Sequence, residues 1–441
     1  MLSKNDCREA IKKLMSYTEN YAVAVIADNG TRLTRFANSE IHQNVEIDDA
    51  VIKLTVYKGK KEATCVTNAF DDESLKALAA QADGILDNMP DGEFEIIPAP
   101  GADVPESPSD PRLAQVYDIK GRAEAVKRNV DRIDKDFTVS GLLSLDRYMR
   151  AYGNKDGVFR HYDFDTLTCE VVATHKDGAT GFAASMANKL EDCDIDRAFT
   201  KALSKAKMAV NPVFAELGAY TVILEPEAVA DLMGYALYDL NAENIQDGTS
   251  YAAGKLGEKF FGDNIFVEDD VNNPGTYQRF FDVEGHPRKS IKLIDGGKVV
   301  NFLYCSKTAQ RDGVQSTGHA ISSGGNGGYP FNIVMRGGDS SVEEMIAGTK
   351  KGLLITRFNY TNTVNPKTLQ ITGLTRDGTF MIKDGKIAYP VANMRFTEFL
   401  TAAFSNVAAL SREVVKAGTW GGVGLFPAVK IENFHFTGGQ K

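Results

Sequence analysis

Histidines are the residues whose spacing would most readily reveal a metal or acid–base site in this chain. There are six: His42, His161, His175, His286, His319 and His435. Zinc peptidases of the HExxH type need two imidazoles about one helical turn apart, so that both reach one metal ion. The closest pair here is 14 residues apart, so no local motif predicts a metal centre. A site assembled by folding, with His286 or His319 and nearby acids, stays open.

A second segment with reactive groups is the polar run Ser316, Thr317, Gly318 and His319. An imidazole beside a glycine could line a cleft and act as a proton carrier or a hydrogen-bond donor. Asn359 begins another polar run, residues 359–362, inside a β-rich region. We take these five residues as candidate cleft residues. The alternative is a turn whose histidine is merely solvated.

Other nucleophile, metal and cofactor motifs are missing from the sequence. The five cysteines are scattered and form no CxxC pair, so we expect free thiols at Cys7, Cys65, Cys169, Cys193 and Cys305. Residues 322–328 are rich in Gly and Ser but lack the GxxxxGK[ST] pattern, which favours a surface loop over a phosphate site. Neither a GxGxxG fingerprint nor a GxSxG elbow occurs. We therefore assign no cofactor and no catalytic residue.

Composition limits the class of partner. The 441 residues carry 59 acidic and 50 basic side chains, a net charge of -9, with 43% hydrophobic residues. Such a surface repels phosphate backbones and anionic membranes, so we expect no direct nucleic-acid or membrane binding. No apolar run approaches the roughly 18 to 20 residues of a membrane span, and no secretory signal is recognisable. A cytoplasmic protein is expected.

The elements that must position these residues suggest an α+β protein of two domains. Residues 1–217 predict an N-terminal α/β domain of helices and hairpins, with amphipathic helices near residues 6–18, 72–86, 119–133 and 194–210. Six of the 14 prolines lie in residues 90–111, which predicts a linker or surface crossover. Residues 218–441 alternate β-like runs with Gly-containing turns. That pattern predicts a β-rich, antiparallel and barrel-like C-terminal domain.

Taken together, these segments resemble the TldD/PmbA family, also called the modulators of DNA gyrase. The resemblance covers nearly the whole chain. It is carried by VIADNGTRLTRFANSEIHQNVEIDD near the N-terminus, by DGTSYAAGKLGE and STGHA in the second half, and most specifically by GLTRDGTFMIKDGKIAYPV. It implies an N-terminal α/β domain, a β-rich C-terminal domain and dimerisation. The family's active member is a metalloprotease that accepts extended, unstructured peptides.

This sequence departs from the resemblance at the metal site. The active member carries an HExxxH helix, completed by a cysteine near the C-terminus. Here the two histidine positions fall at about Met233 and Tyr238, and the glutamate position at Gly234. None of these is a sensible zinc ligand or base. Residues 418–424 also lack a cysteine. The joint loss indicates the metal-free PmbA/TldE-like branch.

That branch implies a non-metal subunit that helps an HExxxH-containing partner bind peptide, as a heterodimer, with a homodimer as the other possibility. The candidate cleft residues Ser316, Thr317, Gly318, His319 and Asn359 would then contact an unstructured peptide. Two other hypotheses stay open. One is an autonomous metallopeptidase with unrecognised ligands. The other is a non-catalytic, homodimeric peptide-binding or scaffold protein.

Overall fold

A six-stranded antiparallel sheet organises the first half of the protein. The computed structural model describes residues 2–322, 327–419 and 422–439. The strands pair in the order β3-β2-β1-β4-β5-β6. Their bounds are β1 Tyr21–Ala37, β2 Glu40–Lys58, β3 Lys61–Thr67, β4 Phe137–Asn154, β5 Phe159–His175 and β6 Thr180–Ala187.

Five helices accompany this first sheet: α1 Lys4–Tyr17, α2 Asp72–Leu86, α3 Arg112–Val116, α4 Ile119–Val130 and α5 Ile195–Met208. Their starts follow from side-chain caps that satisfy free N–H groups. Ser3 and Asp6 exchange hydrogen bonds at the start of α1 (Asp6 N to Ser3 Oγ, 3.1 Å), and Asp71 accepts from the Ser74 N–H (3.0 Å) at α2. Among the residues described, no helix combines the length and the apolar character that crossing a membrane requires.

An eleven-stranded sheet organises the second half. Its main path runs β10-β9-β8-β11-β17-β15-β13-β12-β7, with β14 added on β13 and β16 on β17. The bounds are β7 Gly218–Leu224, β8 Val267–Asp269, β9 Ile291–Asp295, β10 Lys298–Val299, β11 Ile333–Met335, β12 Lys351–Asn365, β13 Gln370–Lys383, β14 Lys386–Pro390, β15 Met394–Phe399, β16 Val407–Thr419 and β17 Gly422–Gly439. The helices of this half are α6 Pro226–Tyr238, α7 Ala242–Gln246, α8 Ser306–Asp312, α9 Val342–Ala347 and α10 Leu400–Ser405.

The predicted α+β class with a β-rich C-terminal half is confirmed, but two details of the second sheet differ from the expectation. The sheet curls, because β17 also pairs with β7. It is not a closed barrel, because β14 and β16 are added outside the main strand order. It is also mixed, because β7 runs parallel to β12 and β11 runs parallel to β17. Glycine-rich turns predict hairpins, whereas these parallel pairs form between strands far apart in the chain.

Residues 90–111 contain neither helix nor strand, in keeping with their prolines, and they run between the two halves. The Ser107 hydroxyl donates to the carbonyl of Gln278 (2.7 Å), and the Arg311 Nε donates to Glu93 (2.8 Å). Strands before residue 188 form the first sheet and strands from Gly218 onward form the second. A domain boundary at residue 217 stays a prediction.

Aromatic packing and one buried ion pair join the halves. Tyr162 of β5 contacts Phe281 with ring centroids 5.1 Å apart, and Phe164 contacts Tyr277 at 5.7 Å. Where α5 meets the start of α6, the Lys205 ammonium donates to the Glu225 carboxylate, and both side chains are buried. Burial raises the pKa of Glu225, but the nearby lysines outweigh it and the net shift is downward. The carboxylate is therefore ionised in the folded protein.

We predict that Glu225→Ala destabilises the protein by about 3 to 5 kcal/mol, because it leaves the Lys205 ammonium buried without its partner. Urea denaturation followed by circular dichroism measures the loss. Glu124→Ala is the matched control, since Glu124 pairs with Lys120 on the open surface of α4 (3.5 Å) and should leave the midpoint unchanged. Equal midpoints for both variants would show that the buried pair contributes nothing.

Candidate functional site

Helix α6 carries the positions at which the family resemblance places the metal site. Pro226 occupies its first turn, where a missing N–H is harmless. The run from Ala228 to Leu237 lacks charged side chains except for Asp231, and it buries most of the helix circumference. Met233 is fully buried in the core of the second half. Its thioether therefore packs as a core side chain and does not reach the surface.

Gly234, which is buried, and Tyr238, which is exposed, lie one turn apart on another side of α6. A Cβ added to Gly234 would meet no atom within 4 Å outside its own helix turn, so open space adjoins the helix there. Tyr238 is 39% exposed, and its ring lies 6.4 Å from that of Tyr329. This outer face therefore combines a hollow at Gly234 with an aromatic side chain one turn later.

Asp231 completes the outer face and ties it to β12. The Thr361 hydroxyl donates to Asp231 Oδ2 (2.6 Å), and the Tyr235 hydroxyl donates to the Thr361 carbonyl. Burial raises the pKa of Asp231, and the hydrogen bond from Thr361 opposes that rise. Burial, with Asp231 nearby, raises the pKa of Tyr235 to about 12. The face offers one carboxylate and two phenols, and these are hydrogen-bonding groups suited to a polar chain. We call Asp231, Gly234, Tyr235, Tyr238 and Thr361 the α6 face.

Asn359 lies two residues before Thr361 on the same strand and is half-buried. Its neighbour Tyr360 is 76% exposed and has a left-handed backbone, with φ of 51°. The ladder between β12 and β13 is interrupted here, because Asn359 pairs with Leu374 while Asn362 pairs with Thr372. The irregularity turns Tyr360 outward beside the α6 face.

Residues 316–319 occupy a different environment from the one expected. His319 has no exposed side-chain surface, and its Nδ1 lies 2.8 Å from the Thr317 carbonyl. The Ser316 and Thr317 hydroxyls both donate to the Tyr304 carbonyl (3.2 Å each). Gly318 has φ of 75°, and a Cβ there would lie 2.2 Å from the Pro287 carbonyl. The segment is a tightly packed turn, so His319 cannot touch a peptide in this conformation. This burial is evidence against the expected direct contact between His319 and a peptide.

The partner of His319 is Asp269, another fully buried side chain. His319 Nε2 lies 3.5 Å from Asp269 Oδ2, which also accepts the backbone N–H of Phe331 (2.6 Å) and of Asn332 (3.1 Å). Arg288 Nη1 is 3.7 Å from the same oxygen. Burial raises the pKa of Asp269, but His319, Arg288 and the backbone donors outweigh it and the net shift is downward. Burial, with Arg288 nearby, lowers the pKa of His319.

The five candidate cleft residues therefore do not form one surface. Among the described residues, no hydrogen bond or ion pair joins Asn359 to residues 316–319. The link is indirect: the Tyr329 backbone N–H donates to the His319 carbonyl (3.0 Å), and the Tyr329 ring packs near Tyr238. Asn359 lies on the strand that carries Thr361, whereas His319 lies behind Tyr329.

Some sequence predictions fall outside the described residues. The proposed surface loop at 322–328 includes residues 323–326, and the cysteine-free stretch at 418–424 includes Trp420 and Gly421; these positions are not described. Over residues 2–322, 327–419 and 422–439, no group of three or more His, Cys, Asp or Glu side chains is arranged to hold a metal ion. His286 and His319 thus do not share such a cluster with nearby acids there.

Sequence reasoning missed Asp231 and its contact with Thr361. Asp231, Gly234 and Tyr238 recur at the i, i+3, i+7 spacing of one helix face, and this spacing is a signal for the carboxylate. Thr361 lies within the polar run 359–362, but its contact with Asp231 has no local signal, because 130 residues separate the two.

Comparisons with known proteins agree with this architecture. Residues 217–438 match the family model described as the PmbA/TldA metallopeptidase C-terminal domain. Metalloprotease PmbA of Escherichia coli O157:H7 is 22% identical over 450 residues, covering 96% of this chain and 94% of that protein. An uncharacterized protein of Methanocaldococcus jannaschii is 29% identical over 184 residues, but the match spans only 41% of this chain and 44% of that relative.

Among solved structures, TldE from Thermococcus kodakarensis superposes with a TM-score of 0.87 at 21% sequence identity. The alignment covers 98% of this chain and 100% of that chain. At that level of identity the likeness establishes the shared fold, and the roles of individual residues rest on their own geometry.

The buried His319 generates a pH prediction. Its pKa is lowered in the folded protein, so between pH 7 and pH 5 the unfolded chain takes up a proton that the folded chain does not. His319 therefore lowers the free energy of unfolding as the pH falls, by up to about 1.4 kcal/mol per pH unit. We predict that the stability difference between wild type and His319→Gln shifts in favour of the variant over this range, as measured by urea denaturation.

The control for this experiment is His42→Gln, because His42 is exposed on β2. That variant should follow the wild-type pH profile. If His319→Gln followed it too, His319 would not be buried as a neutral ring, and a surface role for it would return.

Proposed function

This chain belongs to the PmbA/TldD family, and from that premise we propose that it is the non-metal subunit of a peptidase complex. In this role it binds extended, unstructured peptide for cleavage by a partner that carries an HExxxH helix. The cysteine and both histidines of the metal site would come from that partner. This chain would supply part of the surface along which the peptide lies.

One observation carries the proposal: the chemistry of α6. At the two positions that the resemblance assigns to histidine, the chain has a buried thioether, Met233, and a phenol, Tyr238. The position of the glutamate is Gly234, which has no side chain to act as a base. Soft or basic ligands for zinc are therefore replaced by groups that do not bind it well. The residues do not fit a metal at this helix.

The same face supports peptide binding. The open space beside Gly234 leaves room for an extended chain, and Asp231 and Tyr238 could bond its backbone or side chains. Recognition through hydrogen bonds to a peptide backbone is largely independent of its sequence, which suits an unstructured substrate. Asn359 and Tyr360 extend this surface along β12. We assign residues 316–319 the supporting role of holding Tyr329 behind Tyr238.

We predict that the purified chain alone does not hydrolyse an unstructured peptide such as casein, and that hydrolysis appears when an HExxxH-containing family member from the same organism is co-expressed with it. The reason is the missing ligand pair and base on α6. Fluorescent-casein cleavage measures activity, and size-exclusion chromatography measures whether the two chains form one complex.

Other outcomes of this experiment separate the alternatives. Chelator-sensitive cleavage by the chain alone, with about one metal ion per chain by elemental analysis, would mean an autonomous metallopeptidase. A stable homodimer that binds peptide but never supports cleavage, with or without the family member, would mean a scaffold protein. Either result would overturn the proposal.

A second prediction tests the α6 face. Gly234→Leu places its Cβ where no atom lies within 4 Å, and Leu has the higher helix propensity, so we expect the variant to fold with its side chain in the space beside α6. We expect peptide binding, or partner-dependent cleavage, to fall at least about tenfold, which corresponds to roughly 1.4 kcal/mol. Fluorescence anisotropy with a labelled casein peptide measures binding.

Gly84→Leu is the matched control. Gly84 also lies in a helix with no atom within 4 Å of an added Cβ, but on α2 in the first half of the protein. It should bind peptide like wild type. If both variants bound peptide like wild type, the α6 face would not be the peptide surface, whereas the proposed subunit role would still rest on the co-expression result.

A further inference from the structure

A cavity of about 270 Å³ lies where residues 89–97 cross between the two halves of the protein. Its walls are apolar side chains from the first sheet and the crossover, namely Val23, Tyr57, Met89, Phe94, Ile96 and Ile97. Glu284 and the start of α8, with Ser306 and Lys307, close the other side. The cavity is separate from the α6 face, and none of the residues that define that face lines it.

The side chain of Ser306, which lines the cavity, is paired with a histidine. The distance between Ser306 Oγ and His286 Nε2 is 3.0 Å. In the tautomer that carries its proton on Nδ1, Nε2 is the acceptor for the hydroxyl proton of Ser306, which is the arrangement a general base needs.

The imidazole is held in place by the turn that precedes it. The backbone N–H of His286 donates to Asp282 Oδ1 (2.9 Å), and the Asp282 N–H donates to the His286 carbonyl (3.1 Å). Gly285 has φ of 81° and packs directly under the Tyr152 ring, where a Cβ would lie 2.4 Å from a ring carbon. A larger residue at 285 could not keep this turn.

The surroundings suit a base that is neutral before reaction. Burial lowers the pKa of His286, and Glu284 opposes that effect. The Glu284 carboxyl group accepts the Ser306 backbone N–H (2.8 Å), which holds it close to the pair. Burial, with Asp282 nearby, raises the pKa of Glu284. In its ionised form Glu284 would stabilise the imidazolium formed when the serine gives up its proton. The Lys307 side chain at the same cavity could offset charge on a developing oxyanion.

The geometry points to a second catalytic site, in which Ser306 is a nucleophile and His286 its general base, acting on uncharged esters with a short apolar acyl chain. The apolar side chains of the cavity favour an apolar acyl group. Its small volume favours a short one, since pockets for drug-sized ligands measure roughly 300 to 1,000 Å³. Acidic side chains at the cavity, Glu62, Glu93 and Glu95, disfavour an anionic substrate.

The reaction balances with water as the only co-substrate. Ser306 Oγ bonds to the ester carbonyl carbon while its proton passes to His286 Nε2. The carbonyl–alkoxide bond then breaks, and the alcohol leaves with the proton from His286. Water attacks the acyl-serine in the same way, which releases the carboxylic acid and restores the serine. The net change is hydrolysis of one ester to one alcohol and one acid.

The test is labelling of the full-length chain with a fluorescent fluorophosphonate, followed by intact-mass measurement and peptide mapping. We expect one adduct per chain, on Ser306, and none in Ser306→Ala. We expect His286→Ala to slow labelling by about 100-fold or more, the usual contribution of a general base. Hydrolysis of 4-nitrophenyl butyrate should fall in parallel and should be unaffected by EDTA.

Ser290→Ala is the matched control, because the Ser290 hydroxyl donates to Asp270 Oδ1 (2.6 Å) and is not paired with a histidine. It should label at the wild-type rate. Failure of the wild-type chain to label would overturn the inference without any variant. So would an adduct on another residue, or labelling that survives His286→Ala. Thermal unfolding of each variant shows whether an adduct is lost through chemistry or through misfolding. If a variant is misfolded, the peptide map of the labelled wild-type chain tests the inference by itself.

Discussion

The second half of the protein is arranged around one carboxylate that water cannot reach. Asp269, at the end of β8, has no exposed surface, and such a charge is tolerated only when donors surround it. The donors come from the backbone of Phe331 and Asn332 and from the Asn332 amide (3.1 Å to Oδ1). Arg288 and His319 approach from other loops. Four parts of the chain, namely β8, residues 331–332, Arg288 and His319, are thus held at one point.

This constraint extends to the first half through a second arginine. The backbone N–H of Arg279 donates to Asn332 Oδ1 (3.3 Å), while its guanidinium lies 4.9 Å from the Phe331 ring centroid and 5.4 Å from that of Tyr148 on β4. Cation–π contacts of this kind gain strength when the site is screened from water. The network around Asp269 therefore continues into the aromatic packing between the sheets. The turn that carries His286 follows Arg279 closely, and its position beside the crossover depends on the same packing.

Local sequence patterns predict the helices well and the strands only in outline. Apolar residues at helical spacing placed α1 at residues 6–18, close to Lys4–Tyr17. Residues 22–27 and 31–36 each alternate in the manner of a short strand. The structure joins them in the single strand β1, because residues 28–30 pair with β2 on one side and with β4 on the other. Contacts between residues far apart in the chain cannot be predicted from local patterns. These contacts include the parallel strand pairs of the second sheet, the Asp231–Thr361 hydrogen bond and the Ser306–His286 pair.

Helix geometry adds a constraint on α6 beyond the identities of its residues. Five residues of an α-helix turn through about 500°, so side chains at 233 and 238 point about 140° apart. In this chain the first of them faces the apolar core and the second faces outward beside the hollow at Gly234. Core packing now fixes that orientation, because Met233 fills space between α6 and the sheet, and a polar ring there would be buried without a partner. The α6 face is held differently. The Tyr235 ring still belongs to the core, whereas Asp231 is fixed by the hydrogen bond from Thr361 and the Tyr238 side chain is exposed. Polar contacts to β12 therefore position this side of the helix, while apolar packing positions the side that carries Met233.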